Sequence, residues 1–466
     1  MERAAETRSC WGVGDLSAPD QSDDPVTFPI PTRFDLESIS DAEQEELVSR
    51  SAVPDDDVRS GAARIVEDVR LRGDAALTEY GTRFGGGGSD GRLTVSADEM
   101  EQAFRAAPAD FVAALEDAAA AITTVHEQQL PRSITIEPAA GVVVERRWTA
   151  LKRVGVYVPG GGAAYPSSLL MSVVPAQVAG VAEIAVACPA SPRGTVDASV
   201  LCAAHMLGVT ELYAMGGAQA VGALAYGTET IPRVDKIVGP GGAWVTAAKL
   251  AVYGTVGVDL PAGPSEAAIV VDTTTDPAIA AADLLCQAEH GPDSVVMLIG
   301  PSDQVLDDVL NRAASQLAQL ERRAIITDAL TEHGLVIKAR SHAAALAFVD
   351  GWAPEHVSLL TENPRLDAES ITSAGSVLLG RWTPESAGDY ATGANHILPT
   401  GGLARAYGPL STEDFGSWRQ IQEITRTGLE TLAPTIRALA AQEGLSAHAA
   451  CVDVRLERLT TGDREL

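Results

Sequence analysis

The stretch DPAIAAADLLCQAEHGPDS, residues 276–294, carries the start and stop signals of a single helix. Asp276 suits the N-cap, Pro277 suits the first helical position, and the Gly-Pro pair at 291–292 ends the run. Short apolar runs flank the stretch, Ala267–Val271 before it and Val295–Ile299 after it. The sequence therefore predicts a strand–helix–strand unit, the building block of an α/β fold.

Three polar residues lie on one face of this predicted helix. Gln287 and His290 are three positions apart, and Asp283 lies four positions before Gln287. Side chains at these spacings are neighbours on a helix. An imidazole, an amide oxygen and a carboxylate could hold a divalent metal. The spacing alone favours a simple polar face with a histidine at the helix end, and it leaves the metal site as the second interpretation.

The composition indicates a large acidic globular chain. Its 466 residues are 46% hydrophobic, which is enough for a sizeable core in two or more domains. Asp and Glu number 63 against 34 Lys and Arg, and the net charge is −29. Because such a surface repels nucleic acid and anionic membranes, we expect neither as a partner.

Cysteine usage and the absence of targeting signals predict a cytoplasmic protein. The five cysteines are scattered and form no C-x-x-C pair, which disfavours both a disulfide framework and a thiolate zinc site. The sequence has no apolar stretch of the roughly eighteen residues that a membrane span needs. Residues 1–27 are acidic and turn-rich, and they predict a disordered leader, not a signal peptide.

The N-terminal part of the chain reads as helical. Residues 34–83 place small and apolar side chains on one face, and Met100–Gln129 reads as another helical stretch. Between them, GGGGSDG at 85–91 matches the pattern G-x-G-x-x-G. A dinucleotide-binding turn needs a strand before these glycines, and here a helical pattern precedes them. We therefore interpret the segment as a flexible connector.

From about residue 150, short β-rich runs alternate with glycine turns and helices. This alternation favours a parallel sheet with ligands at the carboxyl ends of its strands. Glycine-rich turns at 160–162, 216–217 and 239–242 each follow a predicted strand. Such turns can cradle a pyrophosphate, although any one of them is more often only a tight turn. A second α/β region extends from Gly263 to about Pro399, and Thr412–Leu445 reads as helix.

Candidate catalytic groups collect in the second half of the chain. Glu355 and His356 follow a proline just before a strand-like run, and a histidine beside a carboxylate suits proton transfer at neutral pH. Asp389 and His396 share a loop containing glycine, asparagine and proline. Glu443 and His448 lie at the end of the last predicted helix. Taken singly, each is more often a surface or capping residue.

Several long motifs give the chain a resemblance to a known family. They occur in the order RVGVYVPGG (153–161), AYPSSLLM (164–171), GGAQA (216–220), AGPSE (262–266), DLLCQAEHGPDS (283–294), APEH (353–356), GDYATGANHILPT (388–400) and EGLSAH (443–448). With this order and spacing from about Phe34 to Arg458, the sequence resembles the histidinol dehydrogenases, which complete histidine biosynthesis.

The resemblance implies an α/β fold with two Rossmann-like parallel-sheet domains, a helical N-terminal segment and a helical C-terminal dimerisation tail. Residues 28–150 would be a helical segment packing with 264–400, together forming the domain that carries zinc and the catalytic residues. Residues 151–263 would form the NAD-binding domain. Residues 401–466 would complete the partner's active site, which implies a homodimer with shared sites.

The resemblance also implies the site residues. One zinc per subunit would be held by Gln287, His290, Asp389 and His448, with His448 and Glu443 coming from the neighbouring subunit. L-Histidinol would contact these ligands and a further set, Ser265, His356, His396 and Glu443. NAD would contact Tyr157, Gln219 and the position of Gly242. The family's usual GPGN reads GPGG here, so Gly242 lacks the amide that helps to hold NAD.

The implied reaction is a four-electron oxidation of L-histidinol through histidinal to L-histidine, with two NAD reduced in turn. His356 is expected to take the proton of the alcohol. Glu355, with His356, is expected to activate the water that attacks the aldehyde. The zinc is expected mainly to bind the substrate's imidazole and amine and to fix its orientation.

Three other interpretations stay open at this point. A paralogous NAD- and zinc-dependent dehydrogenase of another polar amino- or hydroxy-alcohol would ignore L-histidinol as a competitor. A zinc hydrolase with Glu355 as base would need no NAD, and the glycine turns and Tyr157 speak against it. A catalytically silent zinc-binding protein is disfavoured because Glu355, His356 and all four zinc positions are present.

Overall fold

The computed structural model describes residues 28–29, 31–160 and 164–458, the side chain of residue 90 excepted. The leader predicted at 1–27 and part of the turn at 160–162 lie outside these residues. The chain divides into two compact units. The first unit comprises the chain up to Gln129 together with Leu151–Phe415. The second unit comprises Leu130–Ala150 and the chain from Gly416 onward.

The first unit contains a sheet of six parallel strands, in the order β1-β12-β11-β10-β13-β14. The strands are β1 (Thr32–Asp35), β10 (Glu266–Val271), β11 (Val295–Gly300), β12 (Gly334–Lys338), β13 (His356–Leu360) and β14 (Ser376–Leu379). The helices that connect or follow these strands are α10 (Pro277–Ala288), α11 (Asp303–Leu317), α12 (Arg323–His333), α13 (His342–Trp352), α14 (Pro364–Asp367) and α15 (Glu385–Tyr390).

The predicted strand–helix–strand unit is confirmed as β10, α10 and β11. Asp276 caps α10 by accepting the N–H of Ala278, and Pro277 occupies the first turn. Alternate residues of β10 enter different cores: Ile269 packs with α10 to α12, and Ala268 packs with α13. Because successive strand side chains point to opposite faces, this apolar strand is covered by helices on both sides.

A second six-stranded sheet lies in the same unit, in the order β2-β7-β6-β5-β8-β9. Its strands are β2 (Thr94–Val95), β5 (Arg153–Tyr157), β6 (Glu183–Cys188), β7 (Glu211–Ala214), β8 (Lys236–Val238) and β9 (Gly257–Val258). Only the edge strand β2 runs antiparallel to its neighbour. The helices of this layer are α6 (Pro166–Ala179), α7 (Ala198–Met206), α8 (Gly217–Tyr226) and α9 (Ala243–Val252).

The N-terminal helices pack differently from the expectation. They are α1 (Asp41–Val48), α2 (Asp56–Arg72), α3 (Asp74–Phe84), α4 (Ala97–Ala106) and α5 (Ala109–Glu127). Only β1 and α1 join the domain formed by 264–400, whereas α2 packs on α8 and α9, α4 on α7, and α5 on α6. The apolar face of α2, with Ile65 and Val69, completes the core around Val221 and Ala248.

The single helical stretch predicted at Met100–Gln129 is in fact two helices. Ala107 and Pro108 separate α4 from α5, and Pro108 occupies the N-cap of α5. Proline lacks the backbone N–H that a continuous helix would use, and it disfavours helical geometry in the residue before it. The chain therefore turns at this point and starts a second helix.

The second unit corrects the prediction of a helical segment over 28–150 and a helical tail over 401–466, because both ranges also contain strands. It holds a three-stranded antiparallel sheet, β15-β4-β3, followed by two helices. The elements are β3 (Ile134–Ala139), β4 (Val142–Ala150), β15 (Gly416–Ile424), α16 (Arg426–Gln442) and α17 (Ser446–Arg458). The whole of β15 pairs with β4. Because β4 is distant in sequence, the pairing that makes 416–424 a strand is not visible in the local pattern, which favoured a helix.

In the part of the chain that the structure describes, no helix combines the length and apolar character needed to traverse a bilayer.

A buried ion pair ties the N-terminal segment to the start of β10. Arg50 donates to the carboxylate of Glu266, whose side chain is only 3% exposed, and the guanidinium lies 3.5 Å from the centre of the Trp352 ring. The other carboxylate oxygen of Glu266 accepts the N–H of Gly401 at 2.9 Å. Glu266 also donates its own backbone N–H to Glu355, so this pair supports the chain beside Glu355.

Glu266→Ala is expected to destabilise the protein by roughly 3–5 kcal/mol, because it leaves the Arg50 charge buried without its partner. Thermal unfolding followed by circular dichroism measures the effect. Arg33→Ala is the matched control, since Arg33 pairs with Asp303 and Asp307 at the surface and such pairs contribute up to about 1 kcal/mol. Equal shifts in melting temperature for the two variants would contradict a structural role for the buried pair.

Candidate active site

The largest collection of predicted site residues surrounds a cavity of about 680 Å³. On one side lie the amino ends of β10 and β13, and on the other the chain that follows β5 and β8. Ser265, Glu355 and His356 therefore reach the cavity from the starts of strands in the first sheet. The second sheet presents the carboxyl ends of its strands, the usual position for ligands in such layers.

The end of α10 and the short helix α15 bring three metal-binding side chains together. His290, Glu385 and Asp389 each offer one atom to a group whose members all lie within 4.8 Å of one another. The Nε2 atom of His290 is 3.7 Å from a carboxylate oxygen of Asp389, and its Nδ1 atom is 3.9 Å from Glu385. Imidazole and carboxylate groups at these separations suit a divalent ion such as zinc.

Gln287 lies on the preceding turn of α10 and is completely buried. Neither its amide oxygen nor its amide nitrogen has a hydrogen-bond partner. Buried polar side chains are nearly always paired, and an unpaired one calls for a specific explanation. A ligand role for the oxygen supplies that explanation, so the donor set of Gln287, His290 and Asp389 fits a bound metal.

Glu355 and His356 are both 6% exposed and both line the cavity. A Glu355 carboxylate oxygen and the Nδ1 atom of His356 are 4.0 Å apart. The same Glu355 oxygen accepts the N–H of Glu266 at 2.9 Å. Ala353, with a φ of 52°, ends α13 in the left-handed conformation and directs the chain into this pair, a type of strain that occurs at functional sites.

Burial changes the proton affinities of these two groups in opposite directions. It lowers the pKa of His356 to about 4, so the imidazole is neutral at pH 7. Burial and the charge of Asp389 raise the pKa of Glu355 well above its ordinary value. A neutral imidazole next to a carboxyl group that binds protons readily can accept and transfer protons.

His396 and Ser265 also line the cavity. The Nδ1 atom of His396 lies 3.0 Å from the carbonyl oxygen of Asp389, and its Nε2 atom lies 3.3 Å from the hydroxyl of Ser168. A carbonyl oxygen only accepts, so Nδ1 donates to it, and in the neutral ring Nε2 is left as the acceptor. Burial lowers the pKa of His396 below its ordinary value, which favours the neutral ring. The contacts fix the orientation of this imidazole toward the cavity.

Tyr157 and Gln219 line a second cavity of about 1180 Å³ at the carboxyl ends of β5, β6 and β7. The hydroxyl of Tyr157 accepts the N–H of Gly217 at 3.1 Å, and burial raises the pKa of Tyr157 to about 12. Gly242 instead lines the cavity that contains Glu355 and His356. The three predicted NAD-contacting positions thus divide between the two cavities.

The glycine segment at 85–91, interpreted from the sequence as a flexible connector, is an ordered wall of the second cavity. Gly86 accepts the N–H of Ala190 at 2.9 Å, and Ser89 donates to Gly194. Gly86 has a φ of 81°, and a Cβ there would lie 3.0 Å from Pro189. Only glycine meets both conditions easily. The sequence pattern identified the glycines but not this packing.

Glu443 and His448 belong to the second unit, where both are exposed. Within the first unit, His290 and Asp389 of the predicted zinc ligands come together beside Glu385, and Gln287 precedes His290 by three residues. The contribution of His448 and Glu443 from a neighbouring subunit stays a prediction.

Sequence reasoning missed Glu385 and considered Asp283 only as a helix-face candidate. Glu385 lies four residues before Asp389 on α15, so the i, i+4 spacing could have indicated it. Asp283 contacts Ser358 at 3.1 Å and is not in the group of three possible metal ligands. Burial raises the pKa of Asp283 to about 6. On the helix face identified from the sequence, Asp283 therefore makes a supporting contact, whereas Gln287 and His290 belong to the candidate metal site.

Comparison with known proteins gives one consistent result. The family model for histidinol dehydrogenase matches residues 48–456. The histidinol dehydrogenase of Methanosarcina barkeri is 40% identical over 425 residues, covering 90% of this chain and 96% of the relative. That of Halobacterium salinarum is 46% identical over 406 residues, covering 86% of this chain and 94% of the relative.

A solved structure gives the same result at the level of the fold. The crystal structure of histidinol dehydrogenase from Elizabethkingia anophelis superposes with a TM-score of 0.86 at 37% identity. The match covers 93% of this chain and all of that one.

Proposed function

We propose, from the premise that this chain belongs to the histidinol dehydrogenase family and is an oxidoreductase, that it oxidises L-histidinol to L-histidine with two NAD. The observation that carries the proposal is the joint position of Glu355, His356 and the candidate metal ligands around one cavity. A proton acceptor and groups that hold a polar substrate are the two requirements of alcohol oxidation.

Gln287, His290 and Asp389 would hold the metal, with His448 of a second copy of the chain as the fourth ligand. Zinc bound there would orient the substrate by binding its imidazole and amine. It would also stabilise negative charge on the substrate close to these groups. Support comes from the unpartnered amide of Gln287. Ser265 and His396 would contact the substrate from the cavity wall, and the Glu443 carboxylate would accept a hydrogen bond from the substrate's amino group.

His356 would accept the proton of the substrate hydroxyl as hydride leaves the carbon that bears this hydroxyl for the nicotinamide of NAD. Its neutral state at pH 7, a consequence of the pKa near 4, keeps the ring able to accept. In the second oxidation, Glu355 and His356 would take the proton of the water that adds to the aldehyde. One Glu355 oxygen is held by the N–H of Glu266, which keeps the carboxyl group fixed beside His356.

A homodimer would bring the C-terminal tail of one copy to the site of the other. The second unit exposes a set of large apolar side chains that a partner could cover: Ile134, Ile136, Ile421, Ile424, Leu439, Leu445 and Val454. Exposed apolar groups in such number on a small unit are typical of an interaction surface. This exposure supports the dimer that the shared site requires.

The proposed reaction is tested by its stoichiometry. Purified zinc-loaded protein is mixed with limiting L-histidinol and excess NAD, and NADH and the amino-acid product are quantified. Two NADH and one L-histidine per L-histidinol are expected. A zinc-loaded protein that produces no NADH from L-histidinol would refute the assignment. It would favour a paralogous dehydrogenase, and a panel of polar amino- and hydroxy-alcohols would then identify the substrate.

Gly242→Asn is expected to lower the KM for NAD by about two- to tenfold, the worth of one added hydrogen bond. Gly242 is the N-cap of α9 with a φ of −67°, and apart from its chain neighbours no residue comes within 4 Å of an added Cβ. The asparagine therefore fits without strain. Gly242→Ala is the control, because it adds the Cβ without the amide. Equal KM values for the two variants would mean that the amide makes no contact with NAD.

A further inference from the structure

We propose that Glu385 is a positioning residue that orients the imidazole of His290 for metal binding, by accepting a hydrogen bond from its Nδ1 atom. The inference rests on the proposed metal site and deepens it. The Glu385 side chain is 1% exposed, and its Oε1 atom lies 3.9 Å from His290 Nδ1. That oxygen has no hydrogen-bond partner. A buried carboxylate oxygen without a partner is aimed at the ring of a candidate ligand.

The two nitrogens of His290 face different carboxylates, which separates the roles of those carboxylates. Nε2 lies 3.7 Å from Asp389, and Nδ1 lies 3.9 Å from Glu385. The two nitrogens point in divergent directions, so one metal ion binds through only one of them. Gln287 and Asp389 are the proposed co-ligands, which makes Nε2 the ligand atom. Nδ1 then carries the proton, and the Glu385 carboxylate lies on its side of the ring.

A second acceptor on the Nδ1 side agrees with this tautomer. The backbone carbonyl of Gln287 lies 3.3 Å from His290 Nδ1. Both groups near Nδ1 are acceptors, so the protonated nitrogen is favoured there and the lone pair is left on Nε2. A shift of about 1 Å would bring the Glu385 oxygen to ordinary hydrogen-bond distance. Acceptors of this kind fix the ring orientation of metal-binding histidines and raise their basicity.

The helix that carries Glu385 explains how one element serves both nitrogens. Glu385 and Asp389 are four residues apart on α15, so their side chains project from the same face. His290 follows α10 and faces that side of α15. One short helix thereby supplies a carboxylate on each side of the ring. The helix α15 therefore places an acceptor on the Nδ1 side of the ring and a proposed metal ligand on its Nε2 side.

The test measures zinc affinity directly, without activity. Metal-free protein is titrated with zinc in competition with a chromogenic chelator, for wild type, Glu385→Ala, Glu385→Gln and Asp283→Asn. Glu385→Ala is expected to bind zinc about 10–100-fold more weakly. Glu385→Gln keeps an amide oxygen that can accept from Nδ1, so its loss is expected to be under about tenfold. Asp283→Asn is the matched control, because Asp283 is equally buried but contacts Ser358, and its affinity should equal that of wild type.

A second measurement reports on the ring itself. In zinc-loaded wild type, ¹⁵N-labelled His290 should show a protonated Nδ1 with a downfield hydrogen-bonded proton, and this proton should move upfield in Glu385→Gln. This measurement decides the question if Glu385→Ala fails to fold.

Three results would overturn the inference: wild-type zinc affinity in Glu385→Ala, equal losses in Glu385→Ala and Glu385→Gln, or a proton on Nε2. Equal losses would make Glu385 a ligand. A wild-type protein that binds no zinc would instead refute the proposed metal site, and the NADH stoichiometry tests the reaction separately.

Discussion

His356→Ala is expected to lower kcat by roughly 10²–10⁴-fold while the protein keeps its zinc. The imidazole is buried against the cavity and neutral at pH 7, because burial lowers its pKa to about 4. Alanine removes the proposed proton acceptor for both oxidation steps. It leaves Gln287, His290 and Asp389 in place, so the metal site is unchanged. Steady-state NADH formation and metal analysis of the same preparation measure the two effects.

The control for this variant is His342→Ala. His342 pairs with Asp367 at 2.9 Å and does not line the cavity, so its removal should leave kcat within about twofold of wild type, as is usual for surface changes. Loss of zinc from His356→Ala would show that His356 belongs to the metal site and that its proposed role is wrong. A variant with normal zinc and normal turnover would remove His356 from the mechanism.

His448→Ala is expected to lose zinc and activity, and part of that activity is expected to return on mixing with inactive His356→Ala. In a mixed dimer, one site combines an intact His356 with the intact His448 of the other copy. Random exchange of subunits makes half of the dimers mixed, with one working site in each. The mixture should therefore reach about a quarter of wild-type activity. Activity and zinc content are measured after partial denaturation and reassembly.

Mixing His356→Ala with Gln287→Ala is the matched control. Both changes lie in the first unit, so a tail exchanged between copies repairs neither site completely, and activity should stay at the level of the single variants. Differently tagged subunits show whether mixed dimers form. If they form and neither mixture recovers activity, His448 acts within its own chain or not at all. Full zinc retention by His448→Ala would exclude it as a ligand.

The local signals of the first sheet made its centre predictable. Capping residues, proline position and apolar periodicity all agree around α10, and the structure follows them closely. The two parallel layers were likewise readable, because helices and apolar strands alternate along the chain. Pro108 was also visible, and the break it makes between α4 and α5 follows from its missing N–H.

Features that depend on distant pairing were not predictable in this way. The residues of β15 are mostly polar or exposed, and they form a strand because β4 lies alongside them. The packing of α2 depends on small residues of α8 and α9 that lie far along the chain. The unpartnered amide of Gln287 and the carboxylate of Glu385 beside His290 likewise require the fold before their chemistry is evident.

The buried amide of Gln287 has a consequence for how the protein survives in a growing cell. Two unpaired buried atoms cost roughly 1–3 kcal/mol each, a large fraction of the stability of an ordinary domain. If the proposed zinc site forms, a chain without its metal would be more often unfolded and more exposed to chaperones and proteases. Zinc starvation would then lower the abundance of the protein before its catalytic constants changed, and the flux through the proposed reaction would follow the availability of zinc.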